Sequence, residues 1–300
     1  MDSIPTEAVD SWQKKLTPFS AGFHIDGAKQ QLMAAINARN ATDAKIGNEW
    51  VLIPVITYII GIVVTLVLSV MTLFDFFERI VADPYYVPTV DEIYATLGFV
   101  MLLSIIWSAL AYALFAVLTY MLLNRHNEHS ERESHLRMGI LSFLRAAAGS
   151  PEKEAILSSE IATMNMLHSD ATSEEPRRTA VLWALVIGFL WVPGLNFILM
   201  IVSVYMFYFL MNENWNHDRR FHDFMAQTYS ALYKLGYSYA PIAGAQRLER
   251  RSFVLYLVLS IITGGLFVLY WWYTLVRDPN EHYKQQWLVE DHLTNVISQK

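Results

Sequence analysis

The chain contains no cysteine, so thiol catalysis, cysteine-ligated zinc, iron–sulfur clusters and disulfides are all excluded. Charge is scarce as well: Asp, Glu, Lys and Arg make up 17% of the 300 residues, against 54% hydrophobic and 14% aromatic. With a mean hydropathy of +0.28, this balance points to a polytopic membrane protein rather than two soluble domains. The net charge of -6 is mild, and the basic residues are scattered beside apolar segments. That placement suits the flanks of a membrane and argues against nucleic acid. No Gly-rich phosphate loop follows a strand, and no G-x-S-x-G supplies a nucleophile. The first residues, MDSIPTEAVDSW, are acidic and polar, so no cleavable signal peptide is expected.

What is present is a series of long uncharged runs. Residues 1–49 read as a cytoplasmic arm with one amphipathic helix, in which Ile25, Leu32, Met33 and Ile36 share a face. Residues 50–123 read as a transmembrane pair whose spans, Trp50 to Phe77 and Ile93 to Leu123, flank an external loop around Asp83-Pro84-Tyr85-Tyr86. Asn124 is taken as the end of the second span. Residues 124–178 form a cytoplasmic helical region: one helix from Glu128 to Ala148, a second capped by Ser150 and Pro151, then a linker over Ser169 to Pro176. The second of these helices should carry Ile156, Leu157, Ile161 and Met164 on one face.

The third hydrophobic segment, residues 179–211, would be about 50 Å long as one helix, too long for an upright crossing. Pro193-Gly194 near its middle predicts a bend or a hairpin. Residues 212–250 read as a cytoplasmic amphipathic helix followed by a Gly/Pro/Ala loop around Pro241. The fourth segment, residues 251–276, has Thr263-Gly264-Gly265 at its centre, which leaves a re-entrant hairpin and a single tilted span both open. Residues 277–300 close the chain with a polar helix from about Glu281 to Ile297.

Short patterns recur around these segments. Arg177-Arg178-Thr179-Ala180-Val181-Leu182-Trp183 and Arg250-Arg251-Ser252-Phe253-Val254-Leu255-Tyr256 share R-R-[ST]-x-V-L-[WY]. Tyr120, Tyr208 and Tyr273 are each followed nine residues later by a histidine: His129, His217 and His282. Three related units of unequal length are therefore expected. Lys and Arg are abundant before span one and on both sides of segment three but nearly absent after span one, where Arg79 stands alone. The positive-inside bias thus favours a hairpin for segment three and a cytoplasmic N-terminus.

The run Ile262-Thr263-Gly264-Gly265-Leu266-Phe267-Val268-Leu269-Tyr270-Trp271-Trp272-Tyr273, with Asn280-Glu281 shortly after, resembles a widespread family of uncharacterised prokaryotic membrane domains with the signature I-T-x-G-[IL]-[YF]-x-x-Y-W-x-Y. The resemblance covers about a tenth of the chain; segment three has Val192-Pro193-Gly194-Leu195 where the family has its Thr/Gly turn. It implies a small multi-pass protein of a prokaryotic cell (plasma) membrane and no particular activity.

The densest polar cluster runs from His126 to His135. On a helix His129 and Glu133 are four residues apart and His126 and His129 three apart, so several ligands can face one metal. The pattern matches neither H-E-x-x-H nor H-x-x-E-H. A solvated helix end, with Glu128 paired to Arg132 and the histidines at headgroup level, is the simpler expectation. His217, Asp218, His222 and Asp223 look like a weaker version of the same surface. No catalytic residue, cofactor or metal ligand is assigned on this basis; His126, His129, Glu133, His217 and His282 are the metal candidates. Packing of the units round one axis would bring His129, His217 and His282 together. Tyr270-Trp271-Trp272-Tyr273 is expected to anchor at the membrane interface.

The expected fold class is all-α, an integral membrane protein with four hydrophobic segments and cytoplasmic amphipathic helices. The expected function is non-enzymatic: a scaffold, accessory subunit or membrane-shaping hairpin protein. Its partners would be the lipid bilayer and proteins, or a second copy, held through juxtamembrane helices. No charged residue or histidine lies deep in a hydrophobic segment, which disfavours ion-coupled transport. The alternatives are a transporter or channel for an apolar or neutral solute, broken at Pro193 and Gly264, and a membrane enzyme with a juxtamembrane His/Glu metal site. Transport predicts a polar-lined path and an enzyme predicts converging histidines and carboxylates. A scaffold predicts neither, with apolar faces left exposed.

Overall fold

The computed structural model describes residues 25–83, 85–239 and 246–299. The arm before residue 25 and the loop around Pro241 lie outside the described residues. Among those residues every regular element is a helix. Two short helices, α1 (Ile25–Asn37) and α2 (Arg39–Thr42), precede a long antiparallel pair, α3 (Glu49–Ala82) and α4 (Val90–Ala148). Two more, α5 (Pro151–Ile156) and α6 (Ser158–Glu174), lead to α7 (Ala180–Gly188), α8 (Asn196–Lys234), α9 (Phe253–Ile262) and α10 (Phe267–Ile297). Three of them, α3, α4 and α8, are long and apolar enough to cross a membrane.

Local chemistry sets the boundaries. At the start of α4 the Thr89 hydroxyl accepts from the Glu92 N–H at 3.2 Å while the Glu92 carboxylate accepts from the Thr89 N–H at 2.9 Å, a reciprocal cap. Its 59 residues, about 88 Å of helix, end at Gly149 in the left-handed region with φ 66°. Asn124, read from the sequence as the end of span two, lies inside this helix. Polarity changes there, but neither a proline nor a left-handed glycine interrupts the backbone. For the same reason α8 passes unbroken through residues 212–220, whereas α10 joins segment four to the polar C-terminal helix in spite of a proline. The expected linker over Ser169 to Pro176 is helical as far as Glu174.

Pro279 lies inside α10 and lacks the N–H that would reach the Leu275 carbonyl. The buried Arg125 guanidinium donates to the Leu275 and Val276 carbonyls instead, each at 3.2 Å. The helix therefore tolerates its proline through a side chain from α4.

Segments three and four both fold as hairpins. After the nine residues of α7 the chain turns through 189–195, with Gly194 at φ 84°, and after the ten of α9 it turns through 263–266, with Gly264 and Gly265 at φ 60° and 94°. Each short arm packs back on the long helix that follows. Trp183 meets Phe209 at a ring separation of 5.0 Å, Tyr256 meets Phe267 at 5.1 Å, and Phe253 meets Trp271 at 5.6 Å. Arms of that length reach about 15 Å, half of a ~30 Å hydrocarbon layer.

Two apolar clusters hold the helices. One joins Leu118 and Leu122 of α4, Met206 and Leu210 of α8, and Trp271 and Leu275 of α10. Trp271 and Trp272, expected at the interface, are buried here, with Phe207 and Phe115 against them. The other joins the far ends of the same three helices, at Leu136, Ile140, Phe224, Leu232, Val289 and Leu293. Leu32 and Ile36 of α1 and Leu157, Ile161 and Met164 from the α5–α6 region close this second cluster. Ile25 and Ile156, placed on those faces from the sequence, are exposed. Along α3 and the first half of α4, large apolar side chains such as Leu66, Phe74 and Met101 are exposed.

Candidate functional site

Between the two apolar clusters lies a buried polar layer, carried by the stretch of each long helix that follows its aromatic exit. There α4 contributes His129, Arg132, Glu133 and Arg137; α8 contributes His217, Asp218 and Arg220; and α10 contributes His282 and Glu290, all buried. Burial corrects the solvated reading of the His126–His135 cluster. Glu128 does not pair with Arg132, whose guanidinium reaches Asp43 at 3.0 Å and Glu290 at 2.8 Å. A buried charge requires such partners.

The three histidines meet at the centre. Their ring centroids form a near-equilateral triangle, 4.9 Å from His129 to His217, 5.0 Å from His217 to His282 and 5.4 Å from His129 to His282. His129 Nε2 and His217 Nε2 lie 2.9 Å apart. Glu133 Oε2 is 2.5 Å from His217 Nε2 and 3.7 Å from His129 Nε2. Donor atoms of His129, Glu133, His217 and His282 all fall within 4.8 Å of one another. His126, the fifth candidate, sits apart, its Nε2 3.4 Å from Glu213. His222 lies 3.8 Å from Asp218, and Asp223 pairs with Arg247 toward the surface.

Each histidine is held from behind by a carboxylate: His129 Nδ1 by Asp43 at 2.8 Å, His217 Nδ1 by Glu175 at 2.8 Å and His282 Nδ1 by Asp218 at 2.7 Å. Two of these carboxylates also grip an arginine three residues beyond their histidine, Asp43 with Arg132 and Glu175 with Arg220. In the polar layer, outside the apolar stretches, burial raises the Asp43 and Glu175 carboxyls, but their histidine and arginine partners outweigh it. Asp43 is held far below the usual carboxylate range and Glu175 at about 2. Burial pulls His217 down while Glu133 and Glu175 lift it, with a net rise to about 10. His129, where burial wins, falls to about 3.

The repeated arginine motifs have a structural use. Arg178 pairs with Glu213 and Arg251 with Asp278, and each acid lies four residues before its histidine. Two asparagines lie two residues before a histidine. Asn127 bonds both backbone groups of Arg178, and Asn280 bonds both of Ile46. Asp218 accepts from the Leu248 N–H.

Residues 251–296 match the family described as Domain of unknown function (DUF4234). The matched domain comprises α9, its Gly264-Gly265 turn and nearly all of α10, including Arg251, Asp278 and His282. It agrees with an uncharacterised domain at the C-terminal end of the chain. No curated protein and no solved structure matches the chain. Asp43 and Glu175 escaped the sequence reading because each lies outside the long helices and far from its histidine in the chain.

Proposed function

We propose that this is a non-enzymatic membrane protein of the cell membrane, a scaffold or accessory subunit built from three related helical hairpins of unequal depth. On this reading the α3–α4 hairpin crosses the bilayer, and the α7–α8 and α9–α10 hairpins enter from the cytoplasmic side and turn back at mid-depth. The two half-depth hairpins would occupy one leaflet, which also favours a membrane-shaping role. The matching Arg-Arg motifs, Tyr-to-His spacings and acid–arginine pairs support duplication of one unit.

One observation carries the non-enzymatic part: the convergent donors are sealed. His129, Glu133, His217 and His282 are all buried, and one cavity between α4, α8 and α10, lined by Leu122, Arg125, His126, Leu210 and Tyr283 among others, has about 10 Å³, room for one water. The apolar faces of α3 and α4, by contrast, are open to lipid or a partner helix.

A second reading, a juxtamembrane metalloenzyme, draws on the convergence itself, which a plain scaffold does not require. A surface cleft of about 310 Å³ is lined by Arg137 and Glu175, the side chains next to Glu133 and His217. Small-molecule exchange at the centre separates the two readings. In protein loaded with a paramagnetic ion, the scaffold expects water-proton relaxation to match buffer, and fast exchange of bound water would overturn it.

A further inference from the structure

We infer that His129, Glu133, His217 and His282 hold one divalent first-row transition metal ion, with Zn²⁺ the preferred ion, as a closed structural site locking the three hairpins together. The role rests on the scaffold reading; the occupancy does not.

Geometry carries the inference. Four-coordinate Zn²⁺ takes imidazole nitrogens at ~2.05 Å, so two bound rings have centroids about 5.2 Å apart. The three separations found, 4.9, 5.0 and 5.4 Å, bracket that value. Because each Nδ1 faces a carboxylate, each Nδ1 carries a proton, and in the neutral imidazole the Nε2 lone pair is the ligand atom. Two such lone pairs 2.9 Å apart repel unless a proton or a cation lies between them.

Independent support comes from an unpartnered atom. His282 Nε2 is buried without a hydrogen bond, although a buried polar group normally has one. It belongs to the four-residue set and is of the donor type a borderline metal takes. Four carboxylates touch the histidines, Asp43, Glu133, Glu175 and Asp218, against three guanidiniums, Arg132, Arg137 and Arg220. Arg132 is further shared with Glu290, which Arg39 also approaches at 3.7 Å, so with neutral imidazoles the four carboxylates outnumber the three guanidiniums by one charge for a cation to offset. Four protein ligands, all of them buried, describe a structural rather than a catalytic site.

The test uses the full chain in detergent with a tag free of histidine and no chelator in the buffers. The expected result is about one Zn²⁺ per chain and, after stripping, uptake of Co²⁺ with the intense visible bands of a tetrahedral ion. His282→Gln should weaken uptake at least tenfold and the triple His129→Gln, His217→Gln, His282→Gln variant should abolish it, while His126→Gln keeps it. Should the variants fail to fold, the wild-type Co²⁺ titration decides alone. A folded wild type that takes up no Zn²⁺ or Co²⁺, or a folded triple variant with unchanged metal content, overturns the site and leaves the scaffold standing. Metal bound together with rapid exchange of a metal-bound water sinks the structural role and leaves the site standing.

Discussion

Asp218→Asn is the sharpest single perturbation of the polar layer. Asp218 accepts from His282 Nδ1 at 2.7 Å through one oxygen and from the Leu248 N–H at 2.9 Å through the other. Its ion-pair partners are His282 and His222, not an arginine. Asparagine preserves the shape and one acceptor, so metal-free protein should lose less than about 1 kcal/mol, the scale of one hydrogen bond. The metal-bound protein should lose more, because the carboxylate makes His282 a stronger ligand and fixes its ring. Removing such a support lowers metal affinity about 10–100-fold, roughly 1.4–2.7 kcal/mol. At fixed free Zn²⁺ that difference should lower Tm by about 3–10 °C, with little change after chelation. Competition with a chelating dye measures the affinity, and paired melts with and without Zn²⁺ measure the stability. Equal losses in both melts would refute the link between Asp218 and a metal, and would make it an ordinary buried hydrogen-bond acceptor.

Other consequences follow from neighbouring contacts. Arg125→Met should destabilise by about 1–3 kcal/mol, since the Leu275 and Val276 carbonyls lose their donor; adding Pro279→Ala, which restores a helical N–H, should recover part of that loss in denaturant melts. Glu160 joins α6 to α8 through Lys234 at 2.6 Å and Ser230 at 3.0 Å. Burial raises its pKa, but these bonds win and hold it at about 2, against an ordinary 4.5. Its contribution is therefore complete above pH 4.5 and lost as pH falls towards 2. Glu160→Gln should be less stable at neutral pH and show a smaller drop in stability across that acid window.

The sequence marked the three histidines by a common spacing, nine residues after Tyr120, Tyr208 and Tyr273, and marked Glu133 by its position one turn beyond His129. The hairpin turns were legible at Pro193-Gly194 and Gly264-Gly265, where backbone freedom is written into residue type. Burial was not legible. The stretch from His126 to His135 looks solvated because its partners, Asp43 and Glu290, lie 89 and 158 residues from Arg132. A helix that must bury arginines and carboxylates in pairs has the composition of a helix that buries none. The continuity of α4, α8 and α10 was hidden for a related reason: each changes from apolar to polar where it leaves one cluster for the polar layer, and the backbone is indifferent to that change. Trp271 and Trp272 invited an interfacial reading, yet the rings that enclose them, Phe115 and Phe207, sit on two other helices.

All of this requires that the three hairpins enter from one side, since only then can His129, His217 and His282 share a point. A chain with no cysteine makes the test clean. Single cysteines replacing Lys153, Glu249 and Tyr85, all exposed positions, can be probed in intact cells and in inverted vesicles with a membrane-impermeant thiol reagent. Positions 153 and 249 are expected to label from one face and position 85 from the other. Labelling of position 249 together with position 85 would contradict the shared orientation and the convergence built on it.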